Sequence, residues 1–133
     1  MKYSLDTNTC IRYLNERSAK IRAKLPTIPA SDIVVCSVVR AELFYGSAKG
    51  QSPEQSLEKQ LRFLHPFPTV AFDDLAAKKY GEIRADLEKL GMPIGAHDLL
   101  IAAIALAHNL ILVTHNVKEF SRIGALQIED WEA

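Results

Sequence analysis

The strongest constraint on the fold is a set of short, continuous apolar segments that alternate with longer helical patterns. Ile33 to Cys36 (IVVC) and Ile111 to Thr114 (ILVT) are rich in β-branched residues and lack the apolar and polar alternation of a half-exposed strand. Such segments are typical of strands buried on both faces of a parallel sheet. Further strands are predicted at Lys2 to Leu5 and Thr69 to Phe72, and Leu126 to Ile128 is a candidate fifth.

The segments between these strands have the apolar spacing and the end residues of helices. The predicted helices are Thr9 to Glu16, Val38 to Lys49 after a Ser37 cap, Pro53 to Leu64, a long helix from an Asp73 cap to Gly91, and Ala96 to Asn109. Strands that alternate with helices predict an α/β fold with a mainly parallel sheet of four to five strands and helices on both faces. No linker or repeat divides the sequence, so we expect one domain over 1–133.

The distribution of charge gives no simple argument for a nucleic-acid partner. The chain has 16 Lys and Arg against 16 Asp and Glu, so it is neutral overall. Residues 1–66 nevertheless carry ten basic and six acidic side chains, with the basic excess concentrated in Arg12, Arg17, Lys20, Arg22 and Lys24. A solvated helix face explains this cluster as well as a phosphate-binding surface does.

Two features predict a soluble, cytoplasmic protein without membrane contacts. The longest apolar run, Leu99 to Ala107, has nine residues, whereas a membrane span needs about 18, and the first residues do not resemble a signal peptide. Cys10 and Cys36 stand among apolar neighbours without metal-ligand spacing. We therefore expect both to be buried thiols of a reducing compartment.

Three acids and one amide stand where the predicted fold makes them candidates for chemistry. Asp6 and Asn116 follow two predicted strands at the ends where open α/β sheets form their binding crevice. Glu42 lies on an otherwise apolar helix face, and Asp98 opens the most apolar helix. Taken separately, Asp6 is explained as a helix cap, Glu42 as the partner of an arginine, and Asp98 as a favourable charge at a helix N-terminus. Together they predict a site for Mg²⁺ or Mn²⁺, because carboxylates at one sheet edge repel one another without a cation.

Four segments around these residues occur in a familiar order and spacing. They are YSLDTN around Asp6, SVVRAELFYG around Glu42, IGAHDLLIAA around Asp98, and LVTHNVKEF followed by LQIEDW. This ordered set resembles the PIN-domain ribonucleases and, within them, the VapC-type toxins of bacterial type II toxin–antitoxin systems. The resemblance spans nearly the whole chain, whereas LDTN alone is a weak signature.

The resemblance implies a three-layer α/β/α sandwich and a Mg²⁺-dependent endoribonuclease that hydrolyses phosphodiester bonds with metal-activated water. It also implies a homodimer, a small cognate antitoxin that inhibits it, and an RNA substrate such as tRNA or another structured RNA. By position, Asp6 and Asp98 correspond to the principal metal ligands and Glu42 to the third acid. Asn116 stands where many PIN domains have a fourth acid, which favours a single Mg²⁺, with Mn²⁺ as a substitute.

The remaining candidate residues have supporting roles. Thr7 and Thr114 are expected to hold outer-shell waters or a carboxylate. His97 and His115 flank site residues, and an ordinary loop histidine explains each of them. The basic residues that are candidates for holding RNA phosphates are Arg12, Arg17, Lys20, Arg22 and Lys24.

Two other functions are open at this stage. One is a catalytically idle PIN module that binds RNA or an antitoxin, and the intact acids argue against it. The other is a different Mg²⁺-dependent phosphoryl-transfer α/β enzyme, such as a phosphatase or a phospho-acceptor domain. Against this second function, Asp6 has no second aspartate beside it to act as the nucleophile.

Overall fold

The structure, a computed structural model, describes residues 1–133 and contains a four-stranded sheet in which all strands are parallel. The strands are β1 (Tyr3–Leu5), β2 (Ile33–Val34), β3 (Ile111–Val113) and β4 (Ile128–Glu129), in the order β2-β1-β3-β4. Tyr3 lies opposite Ile33 on one side and opposite Ile111 on the other. The chain therefore leaves the central strand β1 in one direction to form β2, and returns past it to form β3.

Seven α-helices accompany the sheet. They are α1 (Thr7–Leu14), α2 (Ala19–Lys24), α3 (Ser37–Ala48), α4 (Pro53–Leu64), α5 (Asp74–Lys89), α6 (Ala96–Ala107) and α7 (Val117–Phe120), with 3₁₀ turns at Leu25–Thr27 and Ala30–Asp32. This arrangement confirms the predicted α/β fold with its parallel sheet and flanking helices. None of the helices combines the length and the apolar character that a membrane crossing requires.

Helix α6 is the buried helix that the sequence predicted. It packs against α5 and β3, and its residues from Ile101 to Ala105 are completely buried. Cys10 and Cys36 are fully buried free thiols, and burial raises the pKa of each. The apolar body of α6 fixes the position of its polar first turn, which carries Asp98.

Two helices begin at residues other than the predicted ones, because a different residue occupies the N-cap position. Helix α1 begins two residues earlier than predicted because Asp6 is its N-cap and accepts a hydrogen bond from the Thr9 backbone N–H at 2.8 Å. Ser37 is the first residue of α3 rather than its cap. Asp73 caps α5 as predicted, and Gly91 follows that helix with a φ of +66°.

The predicted strand at Thr69 to Phe72 is wrong. Pro68 and this segment run beside the end of β2 and together accept only two backbone hydrogen bonds, from Val35 N to Pro68 O at 3.3 Å and from Ser37 N to Val70 O at 3.0 Å. Proline at position 68 has no N–H to donate, so a regular ladder does not form. The sheet consequently has four strands, with the last one at Ile128–Glu129.

Candidate active site

The site lies where β1 and β3 end side by side. Leu5 pairs with Val113, and the next residue, Asp6, donates its backbone N–H to the Val113 carbonyl at 3.1 Å. After β1 the chain continues to β2 at one edge of the sheet, and after β3 it continues to β4 at the other edge. The carboxyl ends of β1 and β3 therefore form a topological switch point. Residues that follow both strands therefore share one crevice.

Asp6 is the most enclosed acid of this crevice, with 5% of its surface exposed. One carboxylate oxygen caps α1 through the Thr9 N–H, so the capping explanation is correct but uses one oxygen only. Burial raises the pKa of Asp6, although hydrogen bonds from the side chains of Thr114 and Thr9 oppose the rise. The buried Thr114 thus lies beside this carboxylate, and its supporting role stays a prediction.

Glu42 is not the partner of an arginine. Its Oε1 accepts a hydrogen bond from Thr7 Oγ1 at 2.5 Å, and its Oε2 lies 3.2 Å from His97 Nδ1. The nearby Arg40 instead donates to the backbone carbonyls of Val35 and Phe67, at 2.9 and 3.0 Å. The carboxylate of Glu42 is therefore held by Thr7 and His97 rather than by an arginine.

Asp98 shows the strongest electrostatic effect in the crevice. Its pKa is raised to about 7 by burial first, then by a hydrogen bond to Glu119, and then by the charges of Glu119, Asp6 and Glu42. A hydrogen bond between two carboxyl groups requires that they share a proton. The structure thus brings Glu119, Asp6 and Glu42, from three separate elements, within electrostatic reach of Asp98.

Glu119 is the site residue that the sequence analysis missed. Its Oε2 accepts a hydrogen bond from Asn116 Nδ2 at 3.1 Å, and its Oε1 accepts one from the Gly95 N–H at 3.4 Å. The signal was the spacing of three residues between Asn116 and Glu119, which places both on one side of a helical turn. The placement of Asn116 at the fourth-acid position stays a prediction, and its amide also holds the carboxylate of Glu119.

The donor set fits a hard divalent cation that is bound partly through water. No three His, Cys, Asp or Glu side chains converge closely enough to surround an ion, since Glu42 is turned toward Thr7 and His97 and Glu119 toward Asn116. Mg²⁺ needs only one or two carboxylates, because it keeps several of its waters. Burial is the largest cause of the raised pKa of Asp98, and the charges of Glu119, Asp6 and Glu42 add to it, so a cation beside Asp98 would be attracted by all four acids.

The five predicted basic residues fall into two groups. Lys20 reaches the Ala133 carbonyl at 3.0 Å, and Arg22 donates to the Tyr13 carbonyl at 3.1 Å. Both lie away from the crevice, as does the exposed Lys24. Only Arg12 and Arg17 line a cavity that also includes Asn116, so the crevice has a narrower basic border than the sequence predicted.

We expect the Asp98→Asn substitution to stabilise the metal-free protein above about pH 7. Because the pKa of Asp98 is higher in the folded than in the unfolded protein, its stability contribution is present near pH 4 and is lost as the pH rises through 7. Solvent screens this half-buried group, so we expect a gain of about 1 kcal/mol in the free energy of unfolding.

Urea unfolding with EDTA at acidic and alkaline pH measures this effect. Asp86→Asn, at an exposed acid of α5, is the matched control and should leave the pH dependence unchanged. An Asp98→Asn protein with the wild-type pH dependence would show that the four acids do not interact as described.

Comparison with known proteins agrees with the fold and with the family resemblance. The sequence profile of the PIN domain matches residues 3–126. The "tRNA(fMet)-specific endonuclease VapC" of Shigella flexneri is 37% identical over 131 residues and covers 98% of each chain. The "Ribonuclease VapC2" of Rickettsia felis is 40% identical over 133 residues and covers 99% of each chain.

Solved structures give the same result. One is VapBC2 from Rickettsia felis, bound to a DNA fragment from its promoter. A chain of this complex superposes with a TM-score of 0.92 and 39% identity, and the match covers 98% of the present chain and 99% of that chain. DNA-bound VapBC from Salmonella typhimurium has a TM-score of 0.93 and 37% identity, with 98% of each chain covered.

Proposed function

This chain belongs to the VapC ribonucleases of the PIN-domain family, and we propose that it cuts RNA at the crevice that contains Asp6, Glu42, Asp98 and Glu119. The nuclease activity follows from the family. The proposal adds the residues, the metal and the substrate class: Mg²⁺, for which Mn²⁺ can substitute, and tRNA or another structured RNA. The cytoplasm, where such RNA is found, is the proposed compartment.

Convergence of the four acids carries the assignment of the site. They come from the end of β1 and from α3, α6 and α7, yet the charges of the other three all raise the pKa of Asp98. Structural needs do not explain this cluster, because like charges gathered in one place destabilise a protein. Clusters with strongly shifted pKa values are typical of functional sites.

Each acid has a distinct role in the proposed reaction. Asp6 and Asp98 would hold the cation, which when bound would supply positive charge to the phosphate and lower the pKa of a water. Glu42 accepts a hydrogen bond from the attacking water, and Thr7 fixes one of its oxygens for that role. Glu119, held by Asn116 and the Gly95 N–H, places a fourth carboxyl group beside Asp98.

Two partners are proposed from the relatives. The solved neighbours are VapBC complexes, so we propose that this chain is the toxin of a type II pair and binds a small antitoxin protein. A homodimer is proposed as its own assembly. The phosphatase and phospho-acceptor alternatives gain no support, because Asp98, whose pKa the charge of Asp6 raises, comes from α6 rather than from the loop of Asp6, where a second nucleophilic aspartate would stand.

Incubation of the purified protein with individual RNAs tests the function. We expect initiator tRNA, an elongator tRNA, a ribosomal RNA fragment or a messenger RNA to be cut at discrete positions when Mg²⁺ is present, and 5′-end mapping identifies the bond. Initiator tRNA is the first substrate to try, because the Shigella relative is described as specific for tRNA(fMet). Failure to cut any of the four with metal present would favour the catalytically idle module instead.

A further inference from the structure

A second cavity, here called the basic cavity, adjoins the carboxylates and has a volume of about 510 Å³. It is lined by Arg12, Arg17 and His115 and by the side-chain amides of Asn8, Asn15 and Asn116. We propose that the basic cavity binds a backbone phosphate of the RNA beside the phosphodiester that is cleaved. This inference rests on the proposed ribonuclease function.

The basic cavity is continuous with the active site. Asn116, at one border of the basic cavity, donates to Glu119, which in turn contacts Asp98. On the other border, Asn8 lines both the basic cavity and a larger cavity of about 720 Å³ that includes Glu42 and His97. An RNA strand whose scissile phosphate lies at the acids therefore continues directly into the basic cavity.

Several donor groups of the basic cavity have no protein partner and can bind an anion. Arg17 is exposed and makes no side-chain hydrogen bond or ion pair. Arg12 donates its Nε to Glu132, which leaves both of its Nη groups without a protein partner. His115 lies 3.0 Å from Asp130 through Nδ1 and keeps Nε2 unpaired. No acid lines this cavity, in contrast to its neighbour.

The end of the chain holds one of these donors in place. Trp131 is buried, packs edge to face against Tyr3 with ring centroids 5.4 Å apart, and donates its indole N–H to Glu129 at 3.0 Å. Glu132 is anchored directly after it, and its side chain is 10% exposed. The carboxylate of Glu132 therefore orients the Arg12 guanidinium at the border of the cavity, and a fixed guanidinium fork matches phosphate geometry.

RNA fits this cavity better than an acidic protein segment does. Guanidinium groups bind a peptide carboxylate as well as a phosphate, so the donors alone do not discriminate. Position does discriminate, because phosphates recur along the strand that must cross the adjacent cleavage site. Side-chain amides and arginines are also the groups that commonly contact phosphates without reading the base sequence.

Salt dependence of RNA binding tests the proposal. The binding constant for a short fluorescein-labelled single-stranded RNA is measured by fluorescence anisotropy between about 50 and 200 mM salt. All proteins carry Asp6→Asn so that the RNA is not cut, and the RNA is verified to be intact. Arg17→Ala should weaken binding about tenfold at low salt and reduce the slope of log K against log salt by about 0.7. Lys24→Ala, the same charge change on an exposed residue of α2, should alter neither value.

Two results would overturn the phosphate assignment. The first is an Arg17→Ala protein with the affinity and slope of its parent, and wild-type cleavage of RNA would then still support the proposed function. The second concerns competition by an oligoglutamate peptide. If the peptide displaces RNA from the parent but not from Arg17→Ala, and the two proteins have the same salt slope for RNA, the cavity belongs to an acidic protein partner. Loss of cleavage by the wild-type protein would instead contradict the function itself.

Discussion

Replacement of Asp6 by Asn is expected to lower the rate of RNA cleavage by at least about 10³-fold while the protein remains folded. Asn keeps the shape of the side chain and an oxygen that can accept the Thr9 N–H, and Asn is as good an N-cap as Asp. The substitution removes only the charge that would hold a cation. Because burial raises the pKa of Asp6, loss of that charge also relieves an unfavourable interaction in the metal-free protein.

A matched control separates capping from catalysis. Asp73 caps α5 through the Ala76 N–H at 2.9 Å, as Asp6 caps α1, but it faces His108 rather than the site acids. Asp73→Asn should therefore cut RNA at the wild-type rate. Initial rates on labelled RNA and the thermal unfolding temperature are measured for both variants. Cleavage by a folded Asp6→Asn protein within about twofold of wild type would exclude Asp6 from the reaction.

Removal of divalent metal is expected to have an equally large effect. With EDTA, the acids around Asp98 repel one another and offer a phosphate no positive charge, so we expect cleavage to fall at least about 10³-fold. Addition of Mg²⁺ or Mn²⁺ should restore the wild-type rate, because both ions accept oxygen ligands and retain water. RNA cleavage assays before and after chelation measure this change.

The control for metal removal is a variant with a damaged site. Added Mg²⁺ should restore the wild-type protein but not Asp98→Asn, although that variant remains folded. Glu119→Gln should require more Mg²⁺ for half of its maximal rate, because it keeps the hydrogen bond from Asn116 and loses one charge. Full activity of the wild-type protein in excess EDTA would contradict a metal-dependent mechanism.

Local patterns were sufficient to predict most of the fold. The buried parallel strands at Ile33 and Ile111, the Asp73 cap and the apolar core helix depend on neighbouring residues, and the structure contains all of them. The failure at Thr69 to Phe72 has a tertiary cause. Strand propensity was adequate there, but Pro68 and the short β2 beside it left too few donors for a regular ladder.

The site was predictable only in part, for a similar reason. Asp6, Glu42 and Asp98 stand at positions where an unpaired acid is costly, and that cost is visible in the sequence. The contribution of Glu119 depends on the single turn of α7, which brings it to Asp98. The placement of the Arg12 and Lys20 side chains depends on contacts with Glu132 and Ala133, more than 100 residues away in the chain.

The most direct test of the central claim, that these acids bind the catalytic cation, is a crystal soaked in Mn²⁺ and measured at the manganese absorption edge. We expect one anomalous peak within direct or water-mediated reach of the Asp6 and Asp98 carboxylates, and no peak at this position in Asp98→Asn crystals. A peak at another place on the wild-type protein, or occupancy of this position in the Asp98→Asn variant, would contradict the proposed site.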